Sequence, residues 1–326
     1  MFEPLKKVMM RKGQNPAKFV KTVARPERIT AAILSYIPFL SGYYAESLDV
    51  LKLSLESMRA DPGLPFDLMV FDNGSCQEVR DFLHQERTNG LIQYLLLADK
   101  NLGKGGAWNM IFGGVPGEII AYADSDVLFH PKWLSRSIEI LEKFPDVGMV
   151  TGRPFRTSTD FYTHTVEWAR HTPAAVLEEG QFIPWETFLE FNLSLGQTEA
   201  ENRKVYSETR DLRITYQGVQ AMVGASHWQF VAYKYVLQQF LPFDMSKPMG
   251  QVRRLDSLMN DSHYLRLMVA DPLTMNLSNT LGNLRGELTG ARFQNPVGFF
   301  RRILDISLIK RVLLAIHNRI FRWYYT

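Results

Sequence analysis

Two aspartates separated by one residue follow a buried apolar run. The run Ile-Ile-Ala-Tyr-Ala leads directly into Asp124, and Asp126 comes two positions later. Alternate side chains of an extended chain point the same way, so the two carboxylates share one side. Two like charges placed together repel unless a cation lies between them or a turn separates them. The pair could bind Mg²⁺ or Mn²⁺, hard divalent cations that also bind substrate phosphates. The alternative is that both aspartates are solvated side chains in a turn at the end of the strand.

Two more polar motifs end earlier apolar runs. Ser35-Tyr36 closes the run 29–36, and Asp72-Asn-Gly-Ser75 is a turn sequence that follows the run 66–71. Parallel α/β sheets bind ligands outside the carboxyl edge of their strands. We therefore expect these motifs and the aspartate pair to converge on one crevice.

The elements that must position these motifs alternate along the chain. Strands are predicted at 29–36, 66–71, 91–97, 118–123 and 147–151, with helices at 43–59, 78–86, after the glycine-rich loop 101–109, and at 132–144. This order predicts βαβ units, hence an α/β fold with a mostly parallel central sheet and helices on both faces. Further along, we predict a partly helical insert at 154–206, one strand at 212–222, a helix around 233–240 and a helix over 253–268.

Composition and charge narrow the function classes. The 326 residues are 46% apolar, and the single cysteine, Cys76, excludes an intramolecular disulfide and fits a reducing compartment. No signal peptide is visible, and no apolar run approaches the roughly 18 residues of a spanning helix. Residues 1–28 and 292–326 each carry a net charge of +6, which leaves −9 for the body between them. The net negative charge of the central region argues against nucleic-acid binding. The two basic ends could bind an anionic surface.

The C-terminal segment 292–326 is basic and aromatic. An apolar stripe at helical spacing, made by Val312, Leu313, Ile316, Ile320 and Trp323, predicts an amphipathic helix. Such a helix could lie on the inner face of a membrane or dock on the domain or on a second subunit, and the sequence leaves these alternatives open. The expected location is the cytoplasm, with peripheral membrane attachment if the first alternative holds.

Together, the motifs resemble a known family. Asp72-Asn-Gly-Ser, Asn101-x-Gly-x-x-x-Ala-x-Asn109 and Ala-Asp124-Ser-Asp126, in this order and spacing, are similar to those of inverting family 2 glycosyltransferases, which have the GT-A fold. The resemblance extends over roughly residues 29–283. It implies a nucleotide-sugar-binding half at 29–152 and an acceptor-binding half with the helical insert at 153–291, between the basic lead-in 1–28 and the C-terminal helix 292–326.

The resemblance also implies residue roles. Asp72 would accept a hydrogen bond from the N3–H of uracil or thymine, as a carboxylate can. Asp126 would hold Mn²⁺ or Mg²⁺, with Asp124 beside it near the ribose; the late histidine ligand common in the family is missing at 271–276. The remaining implied donor contacts are Ser35, Tyr36, Asn101, Gly103, Lys104 and Asn109.

The implied acceptor side comes from the second half of the chain. Asp256 matches the family's catalytic base, with Asp261 in reserve, and His227 and Trp228 lie where the family holds donor sugar or acceptor. Each residue also has a purely structural alternative. Asp256 could cap a helix, Trp228 could belong to the core, and Asp72 could form an Asx turn.

Three functions remain in competition. The first is a metal-dependent inverting transferase of the hexosyltransferase type, which moves a sugar from a UDP- or dTDP-sugar to a hydroxyl of a glycan or lipid-linked acceptor. The second is a sugar-nucleotide nucleotidyltransferase, although segment 35–42 lacks the Lys or Arg that its phosphate loop would carry. The third is a non-catalytic sugar- or nucleotide-binding module.

Overall fold

The first four predicted strands form the parallel half of a sheet. The computed structural model describes residues 13–246, 252–282 and 284. Four neighbouring strands run parallel, namely β1 (Ile29–Ser35), β2 (Asp67–Asp72), β3 (Tyr94–Leu97) and β4 (Ile119–Asp124). Their order across the sheet is β3-β2-β1-β4. Because they all point the same way, the polar residues that follow them meet at one edge.

The connecting helices cover both faces of this half. They are α1 (Ser47–Ala60), α2 (Gln77–Thr88) and α3 (Gly103–Gly114). Leu51 and Leu55 of α1 are fully buried in one core cluster, whereas Trp108 and Phe112 of α3 are fully buried in a second cluster. Full burial of such a side chain contributes roughly 1.5–3 kcal/mol. The prediction of an α/β sheet with helices on both faces is confirmed.

The second half of the fold adds strands of both directions. The remaining strands are β5 (Val127–Phe129), β6 (Val147–Thr151), β7 (Ala175–Gly180), β8 (Asp211–Tyr216), β9 (Val219–Val223), β10 (Gln229–Tyr233), β11 (Leu265–Met268) and β12 (Thr274–Asn276). From β4 the sheet continues β10-β6-β11-β9-β8-β7, while β5 and β12 form a separate pair. In the described part of the chain, β7, β9 and β10 oppose the other strands of the large sheet, which therefore remains mostly parallel in direction.

Six more helices complete the described elements. They are α4 (Trp133–Lys143), α5 (Thr163–His171), α6 (Trp185–Ser194), α7 (Glu199–Glu208), α8 (Lys234–Gln238) and α9 (Val252–Asp261). Three of them lie in the predicted insert, which also contains β7. The insert is tied to its flanks by ion pairs of buried arginines, Arg153 with Glu190 at 2.9 Å and Arg156 with Asp211 at 2.6 Å.

Two predictions of the second half are wrong, and one strand was missed. The single strand predicted at 212–222 is the hairpin β8–β9, because Gln217 and Gly218 adopt φ of 48° and 82° and reverse the chain. The helix predicted at 253–268 ends at Asp261, and the left-handed His263 (φ 64°) redirects the chain into β11. Strand β10 was not predicted, yet it inserts between β4 and β6.

The structure describes only part of the basic N-terminal segment and none of the basic C-terminal segment 292–326. The apolar residues Phe2, Leu5, Val8 and Met9 of the lead-in and the predicted helix at 292–326 lie outside the described residues. Contacts divide the chain into one unit over residues 1–280 and another over 281–326, and the fold above belongs to the first. No helix within the described residues has the length and apolar character needed to span a bilayer.

Candidate functional site

The ends of β1 and β2 present two buried polar atoms without partners. Ser35 and Asp72 are register partners on these strands, and both are fully buried. One Asp72 oxygen, Oδ2, accepts the Ser75 N–H at 3.1 Å and lies 3.6 Å from Nε of Arg80. Among the described residues, Asp72 Oδ1 and Ser35 Oγ have no hydrogen-bond partner. A buried polar atom left unpaired costs roughly 1–3 kcal/mol, so these two atoms are candidates for ligand contacts.

Hydrogen bonds fasten the segment after β1 to the segment after β2. The Asn73 N–H donates to the Ser35 carbonyl at 2.8 Å, and the Ile37 N–H donates to Ser75 Oγ at 2.9 Å. Tyr36 lies between these contacts, half-buried, with its ring edge-on to Tyr44 at a centroid distance of 6.5 Å. The two predicted donor-binding segments therefore form one connected wall.

Asn73 fixes the glycine-rich loop, a role that the sequence reasoning missed. Its amide Nδ2 donates to Asn101 Oδ1 at 2.9 Å, and its Oδ1 accepts the Leu102 N–H at 2.9 Å. Asn101 Oδ1 also accepts the N–H of Gly103, which begins α3 at φ 70°. The only sequence signal was that Asn73 belonged to the strand-end turn. The result places the N-terminus of α3, whose free N–H groups attract anions, at the same edge as Asp72.

Gly74 shows how closely these two loops approach. It has φ 91°, and a Cβ built on it would lie 2.9 Å from the carbonyl carbon of Lys100. Any side chain here would collide with backbone rather than with a flexible side chain. Glycine is therefore required on both conformational and steric grounds.

Lys104 pairs with Asp124 across the crevice. The Lys104 Nζ lies 2.7 Å from Asp124 Oδ2, and the Tyr122 hydroxyl donates to Asp124 Oδ1 at 2.6 Å. The Lys104 side chain is only 8% exposed, and its ammonium lies 5.5 Å from the Trp108 ring. Burial and next the charge of Asp124 raise the pKa of the Tyr122 hydroxyl well above its ordinary value, so it stays a donor. The glycine-rich loop and the end of β4 thus meet through a charged hydrogen bond.

Asp126 lies in an environment that penalises its charge. Burial first, and the negative charge of Asp124 second, raise the pKa of Asp126 to about 7; the positive Lys104 only partly offsets them. No described side chain donates a hydrogen bond to this carboxylate. The Asp126 carbonyl accepts the Leu277 N–H at 2.8 Å, which anchors the backbone beside the β5–β12 pair. A cation bound at Asp126 would relieve both penalties.

The donor set fits a cation that shares its ligands with a substrate. Within the described residues, no cluster of three or more His, Cys, Asp or Glu side chains is arranged to hold a metal. The protein would therefore supply Asp126, together with Asp124, and leave the other positions to phosphate oxygens and water. This is the way Mg²⁺ is usually bound at phosphate-transfer sites.

Asn109 is occupied by a contact within the protein. Its Nδ2 donates to the Phe243 carbonyl at 2.9 Å, and its Oδ1 accepts the Phe243 N–H at 2.7 Å. This double hydrogen bond joins α3 to the segment after α8. The predicted donor contact of Asn109 would have to compete with it.

The predicted acceptor-side residues lie next to the aspartate pair. The Asp124 N–H donates to the Trp228 carbonyl at 2.9 Å, and the Trp228 ring packs against Phe191 at 5.8 Å. The His227 Nδ1 lies 2.6 Å from Asp256 Oδ2. Asp256 is almost fully buried in α9, whereas Asp261 lies exposed at its end. The structure thus brings His227, Trp228 and Asp256 together and leaves Asp261 apart.

Arg266 completes this group and was not predicted from the sequence. It is fully buried on β11, and its Nη2 donates to the other Asp256 oxygen, Oδ1. The same nitrogen donates to the Ala225 carbonyl at 2.6 Å. Its position inside an apolar run, Leu-Arg-Leu-Met, was the available signal, because an arginine buried in a strand needs a partner.

The comparison with protein families decides the classification. Residues 43–202 match the family model described as glycosyl transferase family 2. Over this segment, about half of its length, the chain is similar to that family. The resemblance drawn from Asp72, Asn101–Asn109 and Asp124–Asp126 is confirmed, and the sheet described above is the mostly parallel α/β sheet that it implied.

Individual relatives of this chain are distant. An uncharacterized glycosyltransferase of Nostoc sp. (strain PCC 7120) is 27% identical over 100 residues, which is 31% of each protein. Among solved structures, S. aureus TarS 1-349 has 12% identity and a TM-score of 0.43, covering 75% of this chain and 58% of that one. A mannosyltransferase of Pyrobaculum calidifontis in complex with GDP-Man and Mn²⁺ has 14% identity and a TM-score of 0.42, covering 76% and 55%.

Proposed function

We propose that this chain transfers a sugar from a nucleotide sugar of the UDP or dTDP class to an acceptor hydroxyl, with inversion and with Mn²⁺ or Mg²⁺. The observation that carries the proposal is the unpaired Oδ1 of Asp72, buried beside the unpaired Oγ of Ser35. They lie at the edge of the sheet where the glycine-rich loop and the aspartate pair also end.

The two unpaired atoms suit the edge of a pyrimidine base. Uracil and thymine present an N3–H donor flanked by carbonyl acceptors. Asp72 Oδ1 would accept the N3–H, and the Ser35 hydroxyl would donate to a neighbouring carbonyl. Arg80 Nε lies 3.6 Å from the other Asp72 oxygen, so Oδ1 is the oxygen left for the base. Tyr36 would then flank the nucleoside.

The diphosphate would lie between the start of α3 and Asp126. The N–H groups of the first turn of α3, such as that of Lys104, are suited to phosphate oxygens, while the Gly103 N–H already donates to Asn101. The Lys104 ammonium, now paired with Asp124, is close enough to share its charge with the diphosphate. A divalent cation held by Asp126 and Asp124 would neutralise charge on the leaving nucleotide.

The acceptor would enter from the side of the insert and of His227 and Trp228. The exposed face of a tryptophan stacks well on the C–H side of a sugar, and the Trp228 indole Nε1 is buried without a partner. A glycan or lipid-linked hydroxyl compound is the proposed acceptor class. Attachment of the basic segment 292–326 to an anionic membrane, or to a second copy of the chain, is part of the same proposal and is supported only by the sequence.

Calorimetric titration with UDP, dTDP and GDP tests the donor site. We expect Mn²⁺-dependent binding of UDP or dTDP, abolished by a chelator and by Asp126→Ala. Asp72→Asn should weaken it about tenfold or more, because a hydrogen bond to a charged group contributes roughly 1.5–3 kcal/mol. Asp67→Asn, at the opposite end of the same strand, and the exposed Asp271→Ala are matched controls that should bind normally.

Other outcomes distinguish the rival functions. Tighter binding of GDP than of UDP and dTDP would contradict the pyrimidine assignment of Asp72. Nucleotide binding with no sugar transfer and no donor hydrolysis would favour a non-catalytic binding module. Release of pyrophosphate from a nucleoside triphosphate and a sugar phosphate would instead indicate a nucleotidyltransferase.

A further inference from the structure

Asp256, the residue that the family resemblance makes the base, has no free oxygen. Its Oδ1 accepts a hydrogen bond from Arg266, and its Oδ2 lies 2.6 Å from Nδ1 of His227. Its exposed fraction is 3%, and that of Arg266 is zero. A general base must bring a lone pair within about 2.6–3.2 Å of the hydroxyl that it deprotonates. The lone pairs that remain on Asp256 lie in the buried interior, where an acceptor hydroxyl cannot reach them without a rearrangement.

His227 contacts both Asp256 and Trp108, a residue of α3. Its side chain is 21% exposed, and its ring lies edge-on to Trp108 at a centroid distance of 6.4 Å. The same indole has the Lys104 ammonium 5.5 Å from its ring. The residue after His227 accepts the Asp124 N–H. The imidazole is therefore at the carboxyl edge of the sheet and reachable from solvent, whereas Asp256 lies behind it.

We propose that His227 is the base that deprotonates the acceptor, and that Asp256 and Arg266 are positioning residues that orient it. This inference rests on the proposed sugar transfer. When Nδ1–H donates to Asp256, the other ring nitrogen, Nε2, keeps its lone pair. Arg266 compensates the negative charge of Asp256 in the buried interior.

The sugar transfer would proceed as a single displacement at the anomeric carbon of the donor sugar. The acceptor oxygen forms a bond to the anomeric carbon while its proton moves to Nε2 of His227. The bond from that carbon to the diphosphate oxygen breaks, and its electron pair leaves with the nucleoside diphosphate. His227 then releases the proton to solvent, and Asp256 takes no part in the proton transfer. Among the described residues, the other charged and titratable groups near His227 are Lys104 and Tyr122, which both contact the Trp108 ring, and Asp124, which pairs with Lys104.

The kinetic test compares His227→Gln with Asp256→Asn. Release of UDP from a panel of UDP-sugars is measured with Mn²⁺, with methyl glycosides or water as the acceptor. We expect His227→Gln to lower kcat about 10²- to 10⁴-fold, the usual contribution of a general base, with UDP affinity unchanged. Imidazole should partly restore the His227→Ala variant. His164→Gln, which alters a histidine paired with His263 away from this group, is the matched control and should keep full activity.

The outcomes separate this inference from the function on which it rests. A wild-type protein that binds neither UDP nor dTDP and consumes neither UDP-sugars nor dTDP-sugars would overturn both. An active wild type with an active His227→Gln variant would overturn only the role of His227. In that case an inactive Asp256→Asn variant would return the base to Asp256.

A spectroscopic test needs no turnover. The ¹⁵N resonances of His227, assigned by their loss in His227→Gln, report which ring nitrogen carries the proton. We expect a protonated Nδ1 and a bare Nε2 in the neutral ring, with mixed tautomers in Asp256→Asn. A wild-type ring protonated at Nε2 would contradict the proposal, because that nitrogen would have no lone pair to offer.

Discussion

The Lys104 ammonium and the Asp124 carboxylate form a 2.7 Å hydrogen-bonded ion pair that closes one side of the candidate donor site. Both partners lie at motif positions, but the motifs are separated by a whole helix. Since Lys104 is 8% exposed and Asp124 28% exposed, solvent screens the pair only partly. The pair holds the glycine-rich loop against the end of β4 and keeps a positive charge where a diphosphate would bind.

Replacing Lys104 should therefore weaken the donor site. We expect Lys104→Met to lower UDP affinity about tenfold or more, because a charge-assisted contact to phosphate is lost. The uncompensated Asp124 carboxylate should also lower the free energy of unfolding. Calorimetry and urea unfolding measure the two effects. Lys100→Met, at an exposed position in the same loop, should change neither, and equal losses in both variants would contradict a specific role for Lys104.

Binding of Mn²⁺ should depend on pH through Asp126. Below its pKa of about 7, the Asp126 carboxyl carries a proton. That proton must leave before a cation can bind to the carboxylate. The apparent Mn²⁺ affinity should rise up to about tenfold per unit as pH increases toward 7, and level off above it. Electron paramagnetic resonance titration of free Mn²⁺ between pH 5.5 and 8.5 measures this. A Mn²⁺ affinity that does not change over this pH range would contradict the assignment of Asp126 as a ligand.

The same carboxylate should reduce stability in the metal-free protein. Because the folded-state pKa is above the unfolded value, stability is lost as pH rises between about 4 and 7. Asp126→Asn should therefore unfold at a higher temperature than the wild type above pH 7 without metal. The advantage should shrink as the pH falls toward 4, because fewer unfolded molecules then have an ionised Asp126. Thermal unfolding with chelator present measures it.

Gly74 offers a test of the contact between the two loops. We expect Gly74→Ala to lower the free energy of unfolding by about 1–3 kcal/mol from backbone strain, and by more from the collision with Lys100. Gly90 has a similar φ of 76° but no atom within 4 Å of a built Cβ. Gly90→Ala therefore isolates the conformational part in urea unfolding. Equal losses in the two variants would mean that the loop contact is not tight.

Arg266 should be more important for stability than surface arginines. Arg266→Met leaves the buried Asp256 carboxylate unpaired, a change that typically costs about 3–5 kcal/mol. The double variant Arg266→Met with Asp256→Leu should recover much of that loss, because both charges are removed. Urea unfolding of the single and double variants measures the coupling. A double variant no more stable than Arg266→Met would show that Asp256 is not the group left unsatisfied.

The sequence determined the parallel half of this protein. Strands β1, β2 and β4 could be predicted because fully buried strands are short continuous apolar runs that end in turn residues. The carboxyl-edge rule then placed Asp72 and Asp124 on one side of the sheet. These patterns depend on neighbours in the chain, and so they can be read without the fold.

Tertiary structure decided the second half of the site. The partners His227 and Asp256 are 29 positions apart, and Arg266 follows ten positions later. Nothing local marks these residues as partners, because their contact depends on where α9 and β11 pack against the sheet. Strand β10, which carries His227 to the edge beside Asp124, pairs antiparallel with β4 and was missed for the same reason. Local patterns thus determined which groups reach the edge of the parallel strands, whereas long-range packing decided which of the second-half groups lie buried and which face the crevice.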